Sequence, residues 1–306
     1  MHEWPLLIFT ICIQTAIGGM LMVWIFNLTM KKIGEENVFA LLKTPLLVIA
    51  ALALIGLASS FAHLGTPSNA FNAIRNLGSS WMSREILVTS LFIGAVMVTL
   101  GLALTQRKIN GGLLFLTAII GLVDVYVMSA MYRFSLVSGW DSINTVTSFY
   151  GTALVLGPVL VTSLVIPALS KYQKSQDETA VAVVEPMQNT QLQSEREVNV
   201  TAQILGKYAF YVAAIGIGIQ LVGLAVFGTT MPEINMIQGA SGLSALEGYQ
   251  SMVVLRWVIE LAGLGFLGYL VMSPKMKFSP TYAYAILVVL LVAEGMSRYV
   301  FYVLGT

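Results

Sequence analysis

Eight apolar runs, each about 20 residues or longer, fill most of this 306-residue chain. A helix needs about 20 apolar residues to cross the hydrocarbon core of a bilayer. Hydrophobic residues make up 57% of the chain and charged residues only 10%, whereas a soluble domain carries about 25% charged residues. We therefore predict an all-α polytopic membrane protein, a bundle of eight transmembrane helices that forms a single transmembrane domain over 1–306. The predicted helices are 5–28, 39–62, 83–105, 111–133, 145–169, 205–228, 246–272 and 281–303.

Lysine and arginine are concentrated in alternate loops, and this bias predicts the orientation of the helices, because cytoplasmic loops are enriched in both residues. The sixth loop contains Glu233 and neither Lys nor Arg. Both termini are therefore predicted to be periplasmic. No basic region precedes the first apolar run, so we expect a retained first helix rather than a signal peptide. The basic residues of the odd-numbered loops are Lys31, Lys32, Arg107, Lys108, Lys171, Lys174, Arg196, Lys275 and Lys277.

One long hydrophilic segment, about 170–204, interrupts the apolar pattern. It is rich in Gln, Glu, Ser and short aliphatic residues and shows no regular hydrophobic period. This composition is typical of a solvated linker. We predict a cytoplasmic linker between helices five and six that contributes no catalytic residue.

The most informative polar interval runs from His63 to Glu85 and reads HLGTPSNAFNAIRNLGSSWMSRE. A Gly and a Pro shortly after His63 predict the end of the second helix. Ser83 is the predicted N-cap of the third helix, which places Glu85 in its first turn. Since consecutive antiparallel helices bring these two ends to one membrane face, we expect His63 and Glu85 at similar depth at the outer boundary. The alternative is an interfacial histidine bonded to a carbonyl and a helix-start carboxylate, neither with a further role.

Other charged residues lie inside the predicted helices. Arg256 and Glu260 are spaced i, i+4, as are Glu294 and Arg298, so each pair can form an ion pair on one helix face. A structural network of paired charges is one interpretation, and for Arg256 and Glu260 it is the favoured one. Ionisable side chains in membranes normally face the bundle interior or a cavity, so the pattern also predicts a polar cavity open to the outside. The outer-half groups are His63, Glu85, Arg133, Arg256, Glu294, Arg298 and Gln220, with Asp124 near mid-depth.

The cysteine and histidine counts restrict the cofactors that the protein itself can hold. Its single cysteine, Cys12, excludes an intrachain disulfide and a self-contained iron–sulfur site. Its two histidines are His2, near the terminus, and His63, at a helix end. A haem held by two intramembrane histidines therefore has no ligands, and we expect no haem and no metal site in this protein.

Three segments carry a resemblance to a known family. The opening HEWPLLIFT, the run HLGTPSNAFNAIRNLGSSWMSREI and the last-helix segment AEGMSRYVFY resemble the membrane anchor subunit of dimethyl sulfoxide reductase. The resemblance extends over essentially the whole sequence and fits eight spans with both ends outside.

The resemblance implies a multi-pass subunit of the bacterial inner membrane that oxidises menaquinol in anaerobic respiration. It implies two partners, an iron–sulfur electron-transfer subunit and a molybdopterin catalytic subunit, which would hold all the clusters and the molybdenum. It also implies that His63 and Glu85 bind and oxidise the quinol. The expected quinol pocket comprises His63, Glu85, Arg75, Trp81, Arg133, Arg256, Glu294 and Arg298.

Two other functional classes remain open on the sequence. One is a secondary transporter, although no helix is plainly interrupted at mid-membrane. The other is the anchor of a related polysulfide or nitrite reductase-type complex, because the terminal substrate is chosen by another subunit. The net charge of +1 argues against a nucleic-acid partner.

Overall fold

Eight long helices account for nearly all of the described residues. The computed structural model describes residues 4–31, 34–62, 74–135, 137, 139–181, 188–238, 248–273, 276 and 278–303, without the side chains of 74, 172–181, 188–199 and 230–238. No strand occurs among these residues. The helices are α1 (Trp4–Thr29), α2 (Glu35–Ala62), α3 (Trp81–Gln106), α4 (Gly111–Arg133), α5 (Ile143–Val181), α6 (Gln188–Gln238), α7 (Gln250–Met272) and α8 (Pro280–Val303).

All eight helices are long and apolar enough to span a membrane, as the sequence predicts. The apolar parts of α5 and α6 are Ile143–Lys171 and Val200–Thr229. Beyond these parts both helices continue into the hydrophilic segment, α5 to Val181 and α6 back to Gln188. Much of the predicted linker is therefore helical, and its cytoplasmic location stays a prediction.

The start of α3 corrects one detail of the sequence analysis. Ser80, not Ser83, is the N-cap, because its side chain accepts a hydrogen bond from the backbone N–H of Ser83 at 3.3 Å. Trp81 is consequently the first helical residue. Glu85 lies in the second turn instead of the first, and it is buried.

Helices α1 and α5 form the centre of the bundle. About two thirds of the α1 span and 78% of the α5 span are buried inside the protein. The two helices cross at Gly18 and Gly157, where a Cβ on either glycine would overlap the backbone of the other helix. Small residues permit such close approach between transmembrane helices. This crossing holds α1 and α5 together beneath the polar groups described below.

The first and last helices have their outer ends at the same side of the bundle. The rings of Trp4 and Tyr299 lie 6.1 Å apart, and the Tyr302 hydroxyl donates to the Leu6 carbonyl at 3.2 Å. We call this end of the bundle the terminal face and the opposite end the far face. At the far face, Lys108 and Glu35 form an exposed ion pair of 2.9 Å.

Candidate functional site

Every charged side chain that is buried among the described residues lies in the half of the bundle next to the terminal face. None of them is more than ten residues from the helix end at that face, which corresponds to about 15 Å along a helix axis. The structure thus brings the intramembrane charges into one half, as the sequence pattern predicts. These side chains are Glu85, Asp124, Arg256, Glu260, Glu294 and Arg298.

A buried polar network is built around Glu294 of α8. Its Oε1 atom accepts a hydrogen bond from Gln220 of α6 at 2.7 Å, and its Oε2 atom accepts one from the Thr152 hydroxyl of α5 at 2.8 Å. The Thr152 hydroxyl in turn accepts from Arg298 Nη2 at 3.0 Å. Arg298 Nη2 also donates to Gln14 Oε1 of α1 at 2.7 Å. The network therefore links four helices through charge-assisted hydrogen bonds, which are the strongest class in proteins.

Arg256 of α7 extends this network to a fifth helix. Its guanidinium donates to Gln220 Oε1 at 2.6 Å and 3.1 Å and pairs with Glu260 at 3.4 Å. The guanidinium centre also lies 4.0 Å from the ring centroid of Trp257, a favourable cation–π arrangement. The predicted intrahelical pair of Arg256 and Glu260 is therefore confirmed.

The second predicted pair takes a different form. Within the described part of the sequence no direct ion pair joins Glu294 and Arg298; the Thr152 hydroxyl bridges them instead. Two further donor atoms of Arg298, Nε and Nη1, have no hydrogen-bond partner among the described residues. The guanidinium packs 4.0 Å from the ring centroid of Phe149. Spacing along one helix places two side chains near each other, but a group from a neighbouring helix can come between them.

A small cavity lies against the network and extends toward the terminal face. Its volume is about 90 Å³, room for roughly three water molecules. Gln220 and Arg256 line its inner part, and Gly139 and Asn144 line the part near the terminal face. The network around Glu294 and this cavity together provide charged hydrogen-bond donors at the edge of an apolar bundle.

A second buried group consists of two carboxyl side chains and one hydroxyl. Thr89 of α3 donates to Asp124 Oδ1 of α4 at 2.8 Å. Glu85 lies one helical turn before Thr89 and interacts electrostatically with Asp124. The Oε1 atom of Glu85 and the Oδ2 atom of Asp124 have no hydrogen-bond partner in the described part of the protein. No basic side chain pairs with either carboxyl group among the described residues.

Two tyrosines connect the surroundings of the two groups. The hydroxyls of Tyr132 and Tyr302 are 2.9 Å apart and buried. Both tyrosines lie within electrostatic range of Glu85 and of Arg298. The carboxyl pair, Glu85 and Asp124, and the network around Glu294 are therefore neighbours in one polar region rather than separate sites.

The remaining predicted pocket residues lie at the rim or outside the described residues. Arg75 is exposed in a short 3-10 turn. Trp81 stacks on Phe134 with ring centroids 5.4 Å apart. Arg133 is partly exposed and pairs with Asp141 at 3.5 Å. The structure does not bring Arg75, Trp81 and Arg133 into the buried network, and His63 lies outside the described residues.

Three members of the polar region were not singled out from the sequence: Gln14, Thr89 and Thr152. Gln14 has a recognisable signal, because an amide side chain inside the apolar run ICIQTAI is costly unless it is hydrogen-bonded. Threonines give no such signal, since they satisfy their hydroxyls on their own helix in many transmembrane segments. No cluster of three or more metal-ligating side chains occurs within the described ranges.

Comparison with known proteins identifies the family. The family model described as "DMSO reductase anchor subunit (DmsC)" matches residues 1–304. The protein is 34% identical over 170 residues to the C subunit of the anaerobic dimethyl sulfoxide reductase of Haemophilus influenzae, covering 55% of this sequence and 60% of the relative. It is 31% identical over 166 residues to the C subunit of the Escherichia coli enzyme, covering 52% and 56%.

A third relative, the YnfH subunit of an anaerobic dimethyl sulfoxide reductase of Escherichia coli, is 28% identical over 166 residues, covering 53% of this sequence and 57% of the relative. The matched part thus spans less than two thirds of each relative's length. No solved structure matches the protein. Because the family model covers nearly every residue, the protein belongs to the family of DMSO reductase anchor subunits.

Proposed function

We propose that this anchor subunit oxidises menaquinol near the terminal face and passes the electrons to an iron–sulfur subunit. The observation that carries the proposal is the collection of all described buried charges in one half of the bundle, beside a cavity. Charged groups at membrane depth are costly, and they are retained where a polar substrate or protons are handled. In this proposal the terminal face is periplasmic. The loops at the far face contain the lysines and arginines that are typical of cytoplasmic loops, which agrees with this orientation.

Quinol oxidation removes two electrons and two protons, so the pocket must supply proton acceptors next to a hydrogen-bonding surface. His63 is the proposed first acceptor, because imidazole titrates near neutral pH. Glu85 is the proposed second acceptor. It lies four residues from the start of α3, or about 6 Å along the helix, which is a short way to water at the terminal face.

Arg298 is the proposed stabiliser of negative charge that develops on a quinol oxygen. Its Nε and Nη1 donors are buried and have no partner among the described residues, whereas Nη2 is held by Gln14 and Thr152. A buried cation with one fixed and two open donors suits an oxygen that gains charge during the reaction. Arg256 is less suited, because Gln220 and Glu260 already engage its terminal nitrogens.

The partners in this proposal are an iron–sulfur subunit, which docks on the terminal face, and a molybdopterin catalytic subunit. Their support is the family and the names of the three relatives, which are subunits of anaerobic dimethyl sulfoxide reductases. The electron acceptor must approach closely, since this subunit is expected to hold no haem of its own. Docking at the terminal face places that acceptor on the same side as Glu85 and the network.

The decisive experiment is quinol oxidation by purified complexes that carry His63→Ala or Glu85→Ala. We expect both complexes to assemble and both to lose menaquinol-driven reduction of the terminal acceptor. Reduction driven by a soluble dye that feeds the partner subunits directly should be retained. Glu36→Gln is the matched control, because Glu36 is an exposed carboxylate at the far face. Normal menaquinol turnover in both variants would refute the proposed site.

A further inference from the structure

A second and larger cavity lies at the far face, away from the polar region. It has a volume of about 660 Å³ and lies between the end of α1, the start of α2 and the start of α4. Pockets for small molecules usually have volumes of about 300–1,000 Å³. None of its lining residues belongs to the Glu294 network or to the carboxyl pair. It therefore needs an explanation independent of quinol oxidation.

The inner wall of this cavity offers hydrogen-bond donors without partners. Asn27 lines it and is only 6% exposed, yet no hydrogen bond joins its amide to another described residue. The Asn27 Nδ2 atom lies 2.9 Å from the position that a Cβ on Gly111 would occupy, so glycine at that position keeps the amide accessible. Gly111 and Gly112 also line the cavity and open α4. Backbone N–H groups in the first turn of a helix have no intrahelical acceptor and favour anions.

Of the charged side chains that line the cavity, Lys31 forms no ion pair with a described residue. Lys31 and Glu35 both line the cavity. Glu35 is bound by Lys108 at 2.9 Å, and the hydrogen bond from Lys108 to Glu35 raises the pKa of Lys108, which keeps it charged. The negative charge of Glu35 is thus compensated within the protein. Lys31 forms no ion pair with any described residue, so its charge is available to a ligand.

The outer wall of the cavity is apolar and faces the lipid. Leu28 is 43% exposed and Phe115 is 46% exposed, although both belong to membrane-spanning helices. Trp24 also lines the cavity and packs on Phe115 with ring centroids 5.0 Å apart. An aqueous soluble anion would gain nothing from this wall, whereas an acyl chain buries apolar surface against it.

We propose that this cavity binds a glycerophospholipid, with its phosphate at Lys31, Asn27 and the first turn of α4 and an acyl chain along Leu28 and Phe115. The depth agrees with this assignment, because Lys31 and the start of α4 lie at helix ends, whereas Trp24 and Phe115 lie about one turn inside their spans. A bound lipid would join the ends of three helices and stabilise the folded bundle by mass action.

Native mass spectrometry of the full-length protein in detergent tests the proposal. We expect the wild-type protein to retain one phosphatidylglycerol, and to retain diacylglycerol with the same acyl chains at least tenfold less. Lys31→Ala removes the cation, and Gly112→Leu fills the cavity; each should lower phosphatidylglycerol retention at least tenfold. A Cβ on Gly112 meets only the Asn110 side chain, at 3.4 Å, so the second variant has room to fold.

Lys171→Ala is the matched control, because Lys171 is an exposed lysine at the same face that does not line the cavity. Its phosphatidylglycerol retention should equal that of the wild type. An equal loss of phosphatidylglycerol in all three variants would show that the lipid is held by the general positive charge of the surface, and it would overturn the proposal. Retention of diacylglycerol as good as that of phosphatidylglycerol would refute phosphate recognition. Complete displacement by soluble glycerol phosphate would refute the lipid, and so would the absence of any retained lipid in the wild type.

Discussion

The bridge formed by Thr152 allows the polar network to be tested with a near-isosteric substitution. Thr152→Val removes the hydroxyl that donates to Glu294 at 2.8 Å and accepts from Arg298 at 3.0 Å. Interhelical hydrogen bonds in membrane proteins contribute about 0.6 kcal/mol on average and about 1.7 kcal/mol at most. The loss of two such bonds should therefore lower the free energy of unfolding by about 1–3 kcal/mol.

Thr162→Val provides the matched control within the same helix. Thr162 is equally buried and donates only to the Pro158 carbonyl at 2.8 Å, and Thr152 is likewise within 2.9 Å of its own Ser148 carbonyl. Both substitutions replace a buried hydroxyl by a methyl group on α5. The difference between the two variants therefore isolates the bridge to Glu294 and Arg298.

The assay is reversible unfolding of the purified subunit in mixed micelles, with menaquinol oxidation measured on the assembled complex. We expect Thr152→Val to be the less stable variant and to slow oxidation by roughly tenfold or more, because a small displacement of a charge-stabilising group costs up to about a hundredfold in rate. Thr162→Val should keep wild-type turnover. Equal stability of the two variants would refute the bridge, and normal turnover of Thr152→Val would remove Arg298 from the proposed pocket.

The remaining predictions concern packing and the carboxyl pair. Gly157→Leu should prevent accumulation of the folded protein, because any side chain there overlaps the backbone at Gly18. Gly101→Leu is the control and should be tolerated, because nothing lies within 4 Å of its Cβ position. Comparable yields of monodisperse protein from the two variants would contradict the close crossing of α1 and α5. Asp124→Asn keeps an acceptor for the Thr89 hydroxyl and removes a buried carboxyl group without a basic partner among the described residues. Its melting temperature should equal or exceed that of the wild type, and a clear decrease would show that a cation outside the described residues holds Asp124.

Length and hydropathy were sufficient to predict the fold class. Every predicted span agrees with the apolar span of its helix to within five residues at each end, because the bilayer itself determines how many apolar residues a spanning helix needs. The largest disagreement over secondary structure is the hydrophilic segment, where α5 and α6 continue beyond their apolar parts. A solvated extension of a helix has no core-facing stripe, so hydrophobic periodicity cannot reveal it.

The candidate site could be predicted only in part. Charges were identified because ionisable residues are rare in apolar helices, and the topology placed them in one half. Their partners were not identified, since Gln14 and Thr152 reach the network through contacts between distant helices that no spacing along the sequence encodes. The predicted N-cap of α3 was three residues too late for a related reason. Ser80 and Ser83 are both suitable residue types, and the side-chain geometry at the helix start decides between them.

The two halves of the bundle differ in a way that determines where protons can be handled. In the far half, the buried hydroxyls of Thr99 and Thr117 lie 3.0 Å apart, and each also lies within hydrogen-bond distance of a carbonyl of its own helix, so both find partners without a charged group. No charged side chain is buried there among the described residues. On the proposed function, a proton that leaves menaquinol meets Glu85 and water at the terminal face within about 6 Å of helix, whereas the far half presents no described buried ionisable group to carry it across. Proton release should therefore occur on the same side of the membrane as electron transfer, and turnover of this subunit should not by itself move charge across the bilayer.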